Sequence, residues 1–246
     1  VIEYGMLSED KFFEKADKFA LYPTVDDTYY TFEELKEKIK DLQTDKDDKL
    51  VVLYASDKEA QHSYIEAAKA KGFEVLLLDS PIVSHLMQKL ETSNDKLSFA
   101  RVDADHLDNL IKKEDTQISK LSDEEKEQLK GNIEEVTKAK GYTIQLEAMD
   151  SEASPFIITE PEFMRRMKEM QQTGGGGMFG MGNMPEMYNL IVNINHPLVG
   201  EILGTKTAKK RDRLIKQSLD LARLSKGLLK GEELTKFISR SYEMIK

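Results

Sequence analysis

KLVVLYASDKEAQHSYIEAAKAKGFEVLLLDSPIVSHLMQKLETSNDKLSFARV, residues 49–102, is the stretch that decides the fold. LVVLYA (50–55) is a continuous apolar run of strand length, and FEVLLL (73–78) and the shorter LSFARV (97–102) repeat it. Segments 57–71 and 81–91 between them carry helical spacing. Strand, helix, strand, helix, strand predicts a small parallel sheet with right-handed crossovers. Strands without polar alternation imply cover on both faces, hence three layers.

Upstream of this unit, 8–21 and 31–42 read as helices. Downstream, a charged linker from Lys112 to Lys120 leads to a second unit. There the pattern predicts a helix (122–140), strands YTIQLEA (142–148) and PFIIT (155–159), a helix (160–171), a glycine-rich loop (173–186) and the strand MYNLIVNI (187–194). Two helices, 207–226 and 232–245, close the chain as a hairpin about Gly227 and Gly231. The fold class is α/β plus α+β: a three-layer parallel-sheet subdomain, then an α+β domain ending in a helical hairpin.

Local signals mark the helix ends. Thr31/Glu34, Ser56/Glu59, Ser122/Glu125 and Thr159/Glu162 match the capping box, in which hydroxyl and carboxylate satisfy first-turn amides reciprocally. Ser80-Pro81 and His196-Pro197 suit helix starts. Gly72 and Gly141 suit left-handed C-terminal caps.

The stretch FMRRMKEMQQTGGGGMFGMGNMPEM (163–187) holds seven of the eleven methionines. Methionine is flexible and polarizable, and adaptable Met-rich loops suit varied partners. Phe163, Met164, Met167 and Met170 on the helix, with Met178, Phe179, Met181 and Met184 on the loop, are therefore candidate contact residues. The alternative makes the helix methionines core and the loop inert filler. In the terminal hairpin, Leu214, Ile215, Leu219, Leu221, Ala222 and Leu224, then Leu234, Phe237, Ile238, Tyr242 and Ile245, form apolar stripes at helical period. Such a hairpin either folds back on its own domain or pairs with a second copy as a four-helix bundle.

The 246 residues are 39% hydrophobic and 33% charged, with net charge −9 and no cysteine. Disulfides, thiol chemistry and sulfur-ligated zinc are thereby excluded. No apolar run approaches a membrane span. Residues 207–246 carry +6 and residues 1–206 carry −15, but the basic charges interleave with the leucine stripe, which points to solvated helix flanks and away from nucleic acid. Neither nucleic acid nor membrane is an expected partner, and a reducing cytoplasmic setting fits. The opening VIEYGMLSED reads as the interior of a longer polypeptide.

The chemistry of a catalytic site is not legible. The first strand runs into SDKE, without glycines to let a backbone approach a phosphate. Neither GxGxxG nor GxxxxGK[ST] occurs. The four histidines (62, 85, 106, 196) lack paired ligand spacing, and there is no GxSxG elbow. His196 reads as a capping or packing residue.

IEYGMLSEDKF (2–12), TFEELKEKIK (31–40), EVLLLDSPI (74–82), SPFIITEPEFMRRM (154–167) and YNLIVNINHPLV (188–199), in that order, resemble the ninety-kilodalton heat-shock protein chaperones, bacterial members above all. The resemblance covers nearly the whole chain. It implies the end of the family's middle domain (1–115) followed by its C-terminal dimerisation domain (121–246). It implies a homodimer through the last two helices, so the stripes above become the interface. It also implies that the helix from Glu160 to Gln171 projects into the cleft between protomers and meets unfolded clients. ATP and Mg belong to regions outside this chain, so the fragment itself is expected to hold no cofactor or metal and not to be an enzyme. A client-facing aromatic of bacterial members is replaced here by Ser84-His85-Leu86-Met87. Two rival readings stand beside this one: a purely structural dimerisation module, and an enzyme domain with a nucleotide on the 49–102 sheet.

Overall fold

The computed structural model describes residues 2–113, 118–137, 141–173 and 187–245, with side chains of 168–173 outside the description. In chain order the elements are α1 (Ile2–Ser8), α2 (Asp10–Ala16), β1 (Leu21–Pro23), β2 (Tyr29–Thr31), α3 (Phe32–Gln43), β3 (Leu50–Ala55), α4 (His62–Ala70), β4 (Val75–Leu77), α5 (Val83–Ser93), β5 (Leu97–Arg101), α6 (Leu107–Leu110), α7 (Asp123–Thr137), β6 (Tyr142–Glu147), β7 (Phe156–Thr159), α8 (Glu162–Thr173), β8 (Tyr188–Asn193), α9 (Pro197–Gly204), α10 (Ala208–Ser225) and α11 (Gly231–Ile245). It is a mixed α/β protein with parallel and antiparallel pairing. The chain divides into two compact units, Val1–Glu114 with Glu160–Pro185, and Asp115–Thr159 with Glu186–Lys246. The segment carrying α8 thus groups with the first unit, whereas the sequence boundary kept it with the second.

In the first unit β3 is central, parallel to β4 on one side and β5 on the other. Successive strand residues face opposite ways. Val52 and Tyr54 join Phe32, Leu35 and Ile39 of α3 and Leu86, Met87 and Leu90 of α5 in one core cluster. Val51, Leu53 and Ala55 join Ile65 and Ala68 of α4 in another. This is why the β3 run is apolar throughout. The antiparallel pair β1–β2 stands ahead of α3.

In the second unit β8 is central, parallel to β6 and antiparallel to β7. Leu129 and Ile133 of α7, Val199 and Ile202 of α9 and Ile215, Leu219 and Ala222 of α10 cover Leu190 and Val192 of β8. Two residues past the end of α10, Gly227 adopts a φ of +72° that suits glycine, with Leu228 N–H returning to Arg223 O at 2.8 Å.

Several local expectations need correction. The span 8–21 is not one helix: α2 occupies its middle, β1 begins at Leu21, and α1 precedes it. Thr31/Glu34 and Ser122/Glu125 form capping boxes. Ser56/Glu59 does not. The Gln61 carboxamide oxygen accepts from Ser56 N and Asp57 N, while the Asp57 carboxylate accepts from Glu59 N and Ala60 N, which delays α4 to His62. Thr159/Glu162 also fails. Thr159 Oγ1 is buried in β7 without a hydrogen-bond partner among the described residues, and Glu162 is engaged elsewhere.

Candidate interaction surfaces

Glu162, Arg165 and Arg166 sit at i, i+3 and i+4, one face of α8. That face turns toward β3, β5 and α5. Glu162 accepts from Tyr54 Oη at 3.0 Å, from Arg165 Nη2 at 2.5 Å and from Arg166 Nε at 2.7 Å. Arg165 also donates to Tyr54 Oη and lies 5.5 Å from the centre of its ring. Arg166 reaches Glu91 with both terminal nitrogens, at 2.7 and 3.2 Å, and donates to Phe99 O at 2.7 Å. Nearby, Arg101 pairs with Asp103 and Glu160. Burial pushes the Glu162 carboxyl up, but Arg165 and then Arg166 outweigh it and hold the group below its ordinary range. Burial, then the Glu162 charge, pushes the Tyr54 phenol up. The phenol therefore stays a donor.

The other face of α8 is apolar. Phe163 is 72% exposed, and Met164 and Met167 are half-buried. Met170 lies on the helix with its side chain outside the described residues, as do Met178, Phe179, Met181 and Met184 in full. An amphipathic helix ordinarily hides its apolar face; α8 instead buries Arg165 and leaves Phe163 exposed.

The terminal hairpin also leaves large apolar side chains exposed. One side of α10, comprising Ile215, Leu219 and Ala222, is spent on the core of its own unit, with Leu214 packed at its edge. Phe237 of α11 is buried and Leu234 half-buried. Polar contacts join α10 to α11. Buried Asp220 takes Arg223 Nη1 at 3.1 Å and Arg240 Nη2 at 2.7 Å. Arg223 extends to Glu233 at 2.5 Å, and Gln217 bonds Arg240 at 2.8 Å and Ser241 at 2.9 Å. Leu221 and Leu224 of α10 and Ile238, Tyr242 and Ile245 of α11 remain 43–82% exposed.

Sequence reasoning missed both charged clusters. The Glu162–Arg165–Arg166 spacing was a usable signal. Tyr54 and Glu91 were not, since they meet α8 only through the tertiary fold. The NINH motif (193–196) also has a clear role. Asn193 Oδ1 accepts from Met149 N at 3.2 Å and Asn195 N at 3.1 Å, while its Nδ2 donates to Asp150 O at 2.7 Å. Asn195 donates to Met149 O and Ile118 O and accepts from Lys120 N, each at 3.2 Å. His196 Nδ1 accepts from Leu198 N at 3.1 Å, capping α9 as its sequence position suggested. At the end of β3, the Gln61 carboxamide oxygen takes up the Ser56 and Asp57 amide donors. Among the described residues no group of three or more His, Asp or Glu is placed to hold a metal, and no helix is long and apolar enough to cross a membrane.

The Hsp90 protein family model matches residues 1–246, and the chain belongs to that family. Among curated proteins it is similar to the chaperone protein htpG of Bacteroides fragilis strain YCH46, 36% identical across 99% of this chain and 46% of that protein. The HtpG chaperones of Bacteroides thetaiotaomicron (35%; 99% and 46%) and Porphyromonas gingivalis strain ATCC 33277 (33%; 99% and 45%) are similar too. The chain thus spans about half the length of the curated relatives it matches. The aligned stretch, 312 residues, exceeds the 246 of this chain, so the relative carries insertions within it.

Proposed function

We propose that this chain is the client-handling and self-associating part of a cytoplasmic, ATP-dependent chaperone, with residues 1–115 from its middle domain and 121–246 from its C-terminal dimerisation domain. Two copies join through α10 and α11, using Leu221, Leu224, Ile238, Tyr242 and Ile245. Phe163, Met164 and Met167, with Met170 and the Met178, Phe179, Met181 and Met184 segment, offer plastic contact to non-native proteins. ATP and Mg act in regions outside this chain, and this part works by binding. The observation that carries the reading is a pair of exposed apolar surfaces among the described residues: Phe163 on α8, and Leu221, Leu224, Ile238, Tyr242 and Ile245 on the outer side of the α10–α11 hairpin. Exposed apolar patches of this kind meet other proteins.

The test is paired. Phe163→Ser with Met167→Ser weakens suppression of heat-induced citrate synthase aggregation while sedimentation still reports the parental self-association. Unchanged suppression sinks the client assignment. A shift to monomer would move those residues into the interface between copies.

A further inference from the structure

We infer that Tyr54 and Glu162 are positioning residues for the apolar face of α8: a buried ionic latch fixes the orientation of this helix on its unit and aims Phe163 outward. This deepens the client-binding reading of α8 and rests on it for its functional consequence. Three observations converge. First, the α8 side chains nearest β3 and β5 are charged. Arg165 is almost fully buried, yet Phe163 beside it is 72% exposed. A helix usually turns an apolar stripe inward; here the most buried described side chain of α8 is a guanidinium, while Met164 and Met167 are partly covered. Second, the latch is redundantly partnered. One carboxylate receives a phenol and two guanidiniums, and Arg166 has a second anchor in Glu91 and a third in Phe99 O. Charge-assisted, bidentate contacts fix orientation as well as position. Third, Tyr54 belongs to β3, the central strand, with its ring in the core and its hydroxyl under α8. The sheet therefore supplies a rigid reference for the helix azimuth.

A face held in its binding orientation does not have to be ordered when a client arrives, and preorganisation of that kind raises affinity without adding contacts. Loosening the latch should therefore weaken client capture even though every apolar contact residue is still present. Replacing a latch residue with an isostere separates this role from general stability.

The experiment uses the whole chain. Tyr54→Phe keeps the ring in the core and removes only the hydroxyl; Glu162→Gln keeps the shape and removes the charge. Hydrogen exchange is read by peptide for α8 and, as reference, for β3 and β5. The expected result is at least about tenfold faster exchange in α8 with unchanged exchange in the two strands, because local opening is governed by the contacts of that element. In parallel, the concentration of chain that half-suppresses citrate synthase aggregation should rise several-fold. Unchanged α8 exchange in both variants overturns the latch, as does equal acceleration in the strands, which would make the cluster general cement. Faster α8 exchange with unchanged suppression overturns its role in capture. If Phe163→Ser leaves suppression intact while the latch variants release α8, the client reading has failed and the latch itself stands.

Discussion

Replacing Ile245 by serine tests whether the outer side of the terminal hairpin is a contact between copies. The exposed fractions of Leu221, Leu224, Ile238, Tyr242 and Ile245 together amount to about three fully exposed apolar side chains. Burial of one such side chain contributes ~1.5–3 kcal/mol, so the stripe offers ~4–9 kcal/mol per copy. A two-fold contact uses the same patch twice, giving ~8–18 kcal/mol against an association cost of ~4–15 kcal/mol. The two ranges overlap, so a residue that supplies a large share of the stripe bears directly on the balance. Ile245 is 82% exposed and contributes ~2.5–5 kcal/mol across both copies. Its loss should raise the dimer Kd by at least ~50-fold. Sedimentation equilibrium from about 0.1 to 100 µM covers the range where dimers of this strength dissociate. Ile215→Ala is the control: Ile215 is fully buried in its own unit, so it should lower thermal stability by ~2–5 kcal/mol. A parental chain that stays monomeric throughout, or an Ile245→Ser chain that associates as before, refutes the reasoning.

Acid should release α8: Glu162 is held below its ordinary value of 4.5 by Arg165 and Arg166 in spite of burial, so its stabilisation is complete above about 4.5 and is lost as pH falls through the lower folded value. Hydrogen exchange in α8 should then be insensitive to this group above that pH, after correction for intrinsic rates; release already complete at pH 6 would contradict it. Asn193→Ala strands the buried amides of Met149 and Asn195, at ~1–3 kcal/mol each, and should lower the melting temperature of the second unit by several degrees. Asp220→Asn leaves Arg223 and Arg240 without their shared carboxylate and should cost up to ~3 kcal/mol. Faster amide exchange in α11 and weaker self-association should accompany it, and a chain unaffected in both respects would show that the cluster does not hold the hairpin.

Much of the fold could be read from local pattern because local physics governs it. The LVVLYA run is a strand with the expected bounds since its residues alternate between two cores, and Thr31 and Ser122 cap helices through groups three residues away. Errors arose where a distant or neighbouring group intervened. Gln61 took the amides that a Ser56 box would leave to solvent, and Glu162 was drawn to Tyr54, 108 residues earlier. The α10 stripe shows a different limit. Its apolar positions cover two faces, and period alone cannot tell Ile215, which serves its own core, from Leu221, which faces water. For α8 the pattern alone does not show that Arg165 is buried, because the groups that receive its charged face, Tyr54, Glu91 and the Phe99 carbonyl, lie on other elements.

The asparagine clasp carries a mechanical corollary. Residues 118–120, ahead of α7, are fastened to Asn195 by two hydrogen bonds, immediately beyond the central strand of the second sheet. Tension arriving along the backbone at Ile118 is therefore delivered to β8, which is gripped by strands on both flanks, before it reaches α7.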